Sequence, residues 1–106
     1  MRPICASCAI EYAVETCGAT VVVMQSSGKP YELWQADVWY CPSCGHEIIS
    51  GFANNPYCVH YESNFAIEFA KVMERKHTGT YGPVYLVYES VIIRDAHGGI
   101  TECLPQ

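Results

Sequence analysis

Basic residues are scarce in this sequence. Its 106 residues include six lysines and arginines against eleven aspartates and glutamates, which gives a formal net charge of −5. Proteins that bind nucleic acids usually present clustered Lys and Arg to the phosphates. The closest group of cations here, Lys71, Arg75 and Lys76, has Glu68 and Glu74 beside it. This acidic composition therefore favours a protein partner over a nucleic acid.

Long apolar runs are also missing. No stretch approaches the roughly 20 apolar residues that cross a bilayer, and residues 1–5 lack the apolar segment of a secretion signal. Half of the residues are nevertheless hydrophobic, which is enough for a packed core. We expect a small soluble protein of the cytoplasm, without a membrane segment.

Cysteine is abundant, with seven in the chain. The odd number and the arrangement of four of them in two C-x-x-C pairs argue against a disulfide framework and for a metal site. Each C-x-x-C turn directs two sulfurs the same way and lets backbone N–H groups donate to the thiolates. Two such turns supply the four ligands in tetrahedral arrangement that zinc prefers. The sequence therefore predicts one structural Zn²⁺ bound by Cys5, Cys8, Cys41 and Cys44.

The spacing of the two pairs needs an explanation. Residues 9–40 lie between them, more than the roughly 15–20 residues of the common pattern. A hairpin formed by the β-branched run 20–24 and the aromatic run 31–40 would return the second pair to the first. Gly45, just after the second pair, can adopt the positive φ of such turns, whereas the first pair is followed by Ala9.

Other uses of the thiols and histidines stay open. The four cysteines could be free or redox-active thiols, and His46 could replace one of them as a ligand. Cys58 and His60 are alternate residues of an extended segment and therefore face one side. The simpler interpretation is a buried thiol and a hydrogen-bonded core histidine. The alternative is a secondary metal site, which Cys17 or Cys103 would have to complete.

Catalysis is not expected. Four thiolates leave zinc no open coordination position for a water or a substrate. The sequence His60-Tyr-Glu62 fits the H-x-E element of zinc deaminases, but it lies downstream of both cysteine pairs rather than before them. We therefore predict that the protein is not an enzyme.

The remaining pattern predicts an α+β zinc ribbon. A third short strand over 46–50 would complete a three-stranded antiparallel sheet, and apolar residues at helical spacing predict a helix over 63–78 that packs on it. Residues 1–78 would form this zinc-ribbon domain. Residues 79–106 would add a C-terminal β-hairpin extension, with one strand over 84–93 and a return through Ile100 to Leu104.

Four aromatic residues are candidates for contacts with a partner: Trp34, Trp39, Tyr85 and Tyr88. Exposed aromatic rings commonly anchor protein interfaces, whereas a fold this small also needs aromatic residues such as the two tryptophans for its core. The C-terminal hairpin could also join two copies of the chain in a homodimer. The alternative function is a zinc-ribbon protein that binds nucleic acid or takes part in transcription, which the acidic charge disfavours.

Three stretches resemble the small zinc-ribbon proteins of phages and prophages: residues 33–45, 49–52 and 56–61. The resemblance covers roughly residues 1–75 and implies the same four cysteine ligands and a place in the cytoplasm of a bacterial host. Cys17, Cys58 and the strands after Gly79 depart from that pattern. A viral origin suggests the hypothesis that the protein binds and modulates or inhibits a host protein.

Overall fold

A computed structural model describes residues 2–79, 83–94, 96–97 and 99–103. These residues form seven β-strands, one α-helix and a short 3₁₀ turn. The strands are β1 (Ala13–Met24), β2 (Pro30–Tyr40), β3 (Glu47–Ser50), β4 (Cys58–Val59), β5 (Val84–Tyr88), β6 (Ile92–Arg94) and β7 (Ile100–Cys103). The helix α1 spans Phe65–Thr78, and the 3₁₀ turn spans Glu89–Val91.

The predicted three-stranded sheet is wrong. The described strands form one seven-stranded sheet in the order β5-β1-β2-β3-β7-β6, with β4 paired to β2. Strands from both sides of the predicted boundary at 78/79 take part, since β5 pairs in parallel with β1 and β7 pairs with β3. Residue patterns indicate where strands form, but not which strands pair across long stretches of chain, so the sequence did not reveal this sheet.

The hairpin of β1 and β2 is the longest pairing and brings the cysteine pairs together. Its register runs from Met24 opposite Pro30 to Ala13 opposite Tyr40, so Tyr40 and Cys41 return to the level of the first turn. Register shifts interrupt the pairing with β2 in the first half of β1, between residues 14 and 19. These irregularities explain why the sequence predicted only residues 20–24 as a strand, since a bulge disrupts the alternation of side chains.

The sheet is curled, as the short connection between its two outer strands shows. β5 and β6 lie at opposite ends of the strand order, yet only residues 89–91 connect them. A chain that short spans at most roughly 13 Å between Tyr88 and Ile92. The two outer strands therefore lie close together at this end.

The continuous strand predicted over 84–93 is wrong, because the 3₁₀ turn Glu89–Val91 divides it into β5 and β6. β6 and β7 pair antiparallel, while Leu104, predicted at the end of that hairpin, lies outside the described residues.

Apolar side chains fill both faces of the sheet. The alternate residues Val21 and Val23 of β1 belong to an inner cluster with Trp34, Val38, Ile49, Val87 and Cys103. Val22 points to the opposite face and packs with Leu33, Cys58, Phe65 and Val72 beneath the helix. A third, smaller cluster surrounds the cysteines and consists of Cys5, Tyr12, Cys41 and Ile48.

The helix α1 begins two residues later than predicted and ends where predicted. Phe65 and Val72 lie buried on its inner face, as expected from the helical spacing of apolar residues. Gly79 ends it in the left-handed conformation with φ 74°, and its N–H donates to the carbonyl of Arg75 at 2.8 Å. No helix among the described residues combines the length and apolar character needed to cross a membrane.

Candidate metal centre

The first cysteine turn is closed by two backbone hydrogen bonds. The N–H of Ala9 donates to the carbonyl of Cys5 at 2.7 Å, and the N–H of Cys5 donates to the carbonyl of Ile10 at 2.9 Å. A bridge between Ile4 and Glu11 holds the two ends of the turn together. Cys5 is buried and Cys8 is half-buried.

The second turn repeats this arrangement at the same positions. The N–H of Gly45 donates to the carbonyl of Cys41 at 2.8 Å, and the N–H of Cys41 donates to the carbonyl of His46 at 2.8 Å. Cys41 is buried and Cys44 is exposed. The two turns are therefore equivalent in backbone structure although they lie far apart in the chain.

One residue in each turn adopts a left-handed backbone. Gly45 has φ 76° in the second turn, as the sequence predicted, and Ala9 has φ 57° at the equivalent place in the first. Ala9 is the single described residue other than glycine with a positive φ. A Cβ atom is strained in this region, so Ala9 stores backbone strain that Gly45 avoids.

The structure brings the four cysteines together. Their Sγ atoms all lie within 4.8 Å of one another, and those of Cys5 and Cys44 are 3.8 Å apart. A tetrahedral ion with metal–sulfur bonds of about 2.3 Å places its sulfurs about 3.8 Å apart, so the spacing fits one metal ion. A shared site made from both turns is therefore geometrically possible.

The surroundings of two of the thiols, Cys5 and Cys41, also favour a cation. The backbone N–H of Cys8 donates to Cys5 and lowers the pKa of that thiol to about 6. The N–H of Cys44 lowers the pKa of Cys41 in the same way. The Ser43 hydroxyl lowers the pKa of Cys8, but the neighbouring cysteines and burial outweigh it and raise the value to about 12. Backbone N–H groups thus favour the thiolate form of the first cysteine of each turn, and a bound cation would stabilise the thiolates together.

Two polar side chains lie beside the cysteines. A hydrogen bond of 3.0 Å joins the Tyr12 hydroxyl to Nδ1 of His46, which the sequence had offered as an alternative ligand. Burial, together with Cys5, raises the pKa of Tyr12 to about 12. The half-buried Trp39 packs against the same cluster, and within the described structure its indole N–H has no hydrogen-bond partner. Tyr12 was not predicted as part of the site, because no sequence pattern links it to a histidine so far along the chain.

Cys58 and His60, the candidates for a secondary metal site, lie in different environments. The Cys58 thiol is buried, donates to Oδ1 of Asn64 at 3.8 Å, and has a pKa raised by burial. His60 is exposed and stacks on Tyr31 with ring centroids 4.4 Å apart. Among the residues that the structure describes, neither belongs to a group of three or more side chains able to hold a metal.

The other cysteines lie apart from the four. Cys17 is exposed, whereas Cys103 is buried in the inner cluster, which raises its pKa to about 12.

The four aromatic candidates for partner contacts differ in exposure. Trp34 is 5% exposed, packs edge-on against Phe52, and belongs to the inner cluster. Trp39 and Tyr85 are half-buried, whereas Tyr88 is 40% exposed at the end of β5. Tyr88 therefore offers the largest exposed fraction of the four to a partner.

Comparison with known proteins gives no family for this chain. No family model, curated protein or solved structure matches it. The resemblance to phage zinc-ribbon proteins is therefore supported only at the level of the four-cysteine cluster, which is consistent with a zinc-ribbon-like site.

Proposed function

We propose that this chain is a non-enzymatic protein-interaction module in which one structural Zn²⁺, held by Cys5, Cys8, Cys41 and Cys44, organises one end of a β-sheet. The observation that supports the metal is the distance of at most 4.8 Å between any two of the four sulfurs. Tetrahedral sites of four thiolates suit zinc or iron. Zinc in such a site is closed to substrates, which is the argument against an enzyme.

Metal analysis of protein purified without added metal tests the first part of this proposal. We expect one zinc per chain and a colourless protein, since zinc has a filled d shell. One iron per chain with visible absorption would instead identify an iron–thiolate site. The absence of any metal would contradict the proposal, provided that the four thiols titrate as reduced.

A protein partner is supported by charge and by exposed apolar side chains near the cysteines. The net charge of −5 is unfavourable for contact with phosphates. Ile4 is 63% exposed and Ile93 is 49% exposed. Both line a cavity of about 390 Å³ beside Tyr12 and His46. Exposed apolar patches often mark protein interfaces.

Affinity capture with matched variants tests this second part. Ile4→Glu and Ile93→Glu should each abolish capture of a specific partner from the native host, whereas Ile67→Glu, an exposed change on the helix, should not. Retention of oligonucleotides with a steep salt dependence would favour the nucleic-acid alternative instead. A phage origin and the inhibition of a host protein stay hypotheses, which the identity of the captured protein would decide.

A further inference from the structure

The cavity of about 390 Å³ beside the first cysteine turn combines apolar walls with one carboxylate. Pro3, Ile4 and Ala6 of the turn line one side, and Ile93 and Glu102 of the hairpin formed by β6 and β7 line the other. Glu102 is the single carboxylate among the described lining residues, and none of them is Lys or Arg. The fixed charge of this cavity is therefore negative.

The register of β6 and β7 explains why this carboxylate faces the cavity. Ile93 lies directly opposite Glu102 in the antiparallel pair. Side chains of directly opposite residues leave the sheet on the same face. The neighbouring pair, Ile92 and Cys103, packs in the inner cluster. Ile93 and Glu102 therefore point the other way, toward the cysteine turn, and Glu102 is half-buried there.

No cation of the described part of the chain neutralises Glu102. The ion pair that the structure describes joins Lys71 to Glu68, on the helix. Arg94, the cation of β6, lies opposite Ile100 rather than Glu102. Because Glu102 is partly removed from water, a cation beside it would be attracted more strongly than at an open surface. The carboxylate thus favours a positively charged ligand.

The cysteine centre adds negative charge to the same place. Cys5 lies in the chain between Ile4 and Ala6, which line the cavity. Four thiolates bound to one divalent ion keep a net negative charge. This part of the argument rests on the proposed function. An acidic or phosphate ligand would be repelled by both Glu102 and the centre.

The apolar walls distinguish a protein side chain from a small free cation. Ile4 is 63% exposed and Ile93 is 49% exposed, so apolar surface continues beyond the cavity. Arg and Lys place an apolar stem along such surface and keep the charged head at a polar group. We propose that the cavity binds a basic side chain of the protein partner, with its head at Glu102 and its stem against Ile4 and Ile93. The inference rests on the proposed function, because it names the chemistry of the partner at the same surface.

An NMR titration of the isotope-labelled whole chain, with its metal content measured, tests the proposal. The probe is the peptide acetyl-Leu-Arg-Leu-amide, and the matched peptide carries citrulline, which is nearly the same shape as arginine but uncharged. We expect the backbone amides of Ile4, Ile93 and Glu102 to shift, and the arginine peptide to bind about tenfold more tightly than the citrulline peptide. Acetyl-Gly-Arg-Gly-amide should bind about fivefold more weakly than the leucine peptide, because it covers less of the apolar surface.

A pair of matched variants tests the role of the carboxylate. Glu102→Gln keeps the size of the side chain and removes its charge, so the arginine and citrulline peptides should then bind within about twofold of each other. Glu11 is also exposed on the first turn but does not line the cavity. Glu11→Gln should keep the preference for arginine. The comparison of the two peptides on the wild-type chain needs no variant and is independent of any effect on folding.

Three results would overturn the proposal. They are the absence of shifts at these amides up to about 20 mM arginine peptide, equal affinities of the arginine and citrulline peptides, and an equal loss of preference in Glu11→Gln and Glu102→Gln. Any of them, if Ile4→Glu still abolishes capture of the host partner, would leave the proposed function standing. A chain that binds no metal would contradict the proposed function, and the peptide comparison would still decide this inference.

Discussion

The end of the molecule that holds the cysteines and the remainder of the sheet are built differently. Around the cysteines, the buried cluster consists of four residues, and Cys44 stays exposed. Beyond them, side chains from β1, β2 and the helix form two larger clusters, in which Val22, Leu33 and Val72 are completely buried. Apolar burial can hold the sheet and helix together, whereas so small a cluster needs the binding energy of an ion.

This difference predicts two kinds of response to mutation. Changes at the cysteine end should alter metal binding and local structure, while changes under the helix should alter global stability with or without metal. The following variants separate the two regions, beginning with the largest effect.

Cys41→Ser should have the largest effect. Cys41 is fully buried and supplies one of four ligands, and loss of the ligand leaves an incomplete site. We expect metal affinity to fall by more than the roughly 10–100-fold seen when a ligand loses its hydrogen-bond partner. Metal content and thermal unfolding measure this. The control Cys17→Ser, an exposed cysteine outside the cluster, should keep one metal per chain and the same melting temperature; a loss of metal there would contradict the assignment of ligands.

Leu33→Ala should destabilise the body of the molecule instead. Leu33 is completely buried beneath the helix, and its truncation leaves a cavity. We expect a loss of about 2–5 kcal/mol in the free energy of unfolding, with metal content unchanged. Denaturant unfolding measures the first and elemental analysis the second. Ile67→Ala, on the exposed side of the same helix, should change stability by less than about 0.5 kcal/mol.

The two left-handed residues allow a reciprocal exchange within the cysteine turns. Gly45→Ala should destabilise by about 1 kcal/mol because a side chain is strained at φ 76°, although space for its Cβ is free. Ala9→Gly should stabilise by a similar or smaller amount, because it relieves the strain at φ 57°. Unfolding of the metal-bound protein measures both. Opposite signs are expected, and equal signs would contradict the equivalence of the turns.

A small effect is expected from a pair of carboxylates. A hydrogen bond with Glu47, with minor burial, raises the pKa of Glu15 above its usual 4.5. Because the pKa of Glu15 is higher in the folded than in the unfolded state, the protonated carboxyl stabilises the fold below pH 4.5. This stabilisation is lost as the pH rises through the folded-state pKa. Glu15→Gln should therefore increase the melting temperature slightly at pH 7 and change it little at pH 4. Glu11→Gln, also exposed, provides the control, and an identical effect there would point to net charge alone.

Local features were readable from the sequence. The four cysteines lie together because two C-x-x-C turns and the strand-forming runs between them specify a hairpin that returns the chain. The helix was predicted over its full length, because its apolar residues repeat with a helical period and Gly79 supplies the left-handed end. The positive φ of Gly45 followed from its position after the turn.

Long-range pairing was not readable. Nothing in the apolar pattern of β5 states that it pairs in parallel with β1, which precedes it by the whole helix and three strands. The 3₁₀ turn at Glu89–Val91 interrupts a run that alternation alone presents as one strand. The contact of Tyr12 with His46 likewise depends on how the two turns meet. Such contacts are decided by packing, and a single sequence reports them only weakly.

Hydrogen–deuterium exchange with and without a metal chelator tests the central claim most directly. Once the metal is removed, backbone amides of residues 5–12 and 41–48 should exchange at least about tenfold faster, because local opening there is no longer opposed by metal binding. Amides of Val21 to Val23 and of Leu33 should keep their protection. Unchanged exchange at both cysteine turns, in protein shown to have lost its metal, would contradict the account.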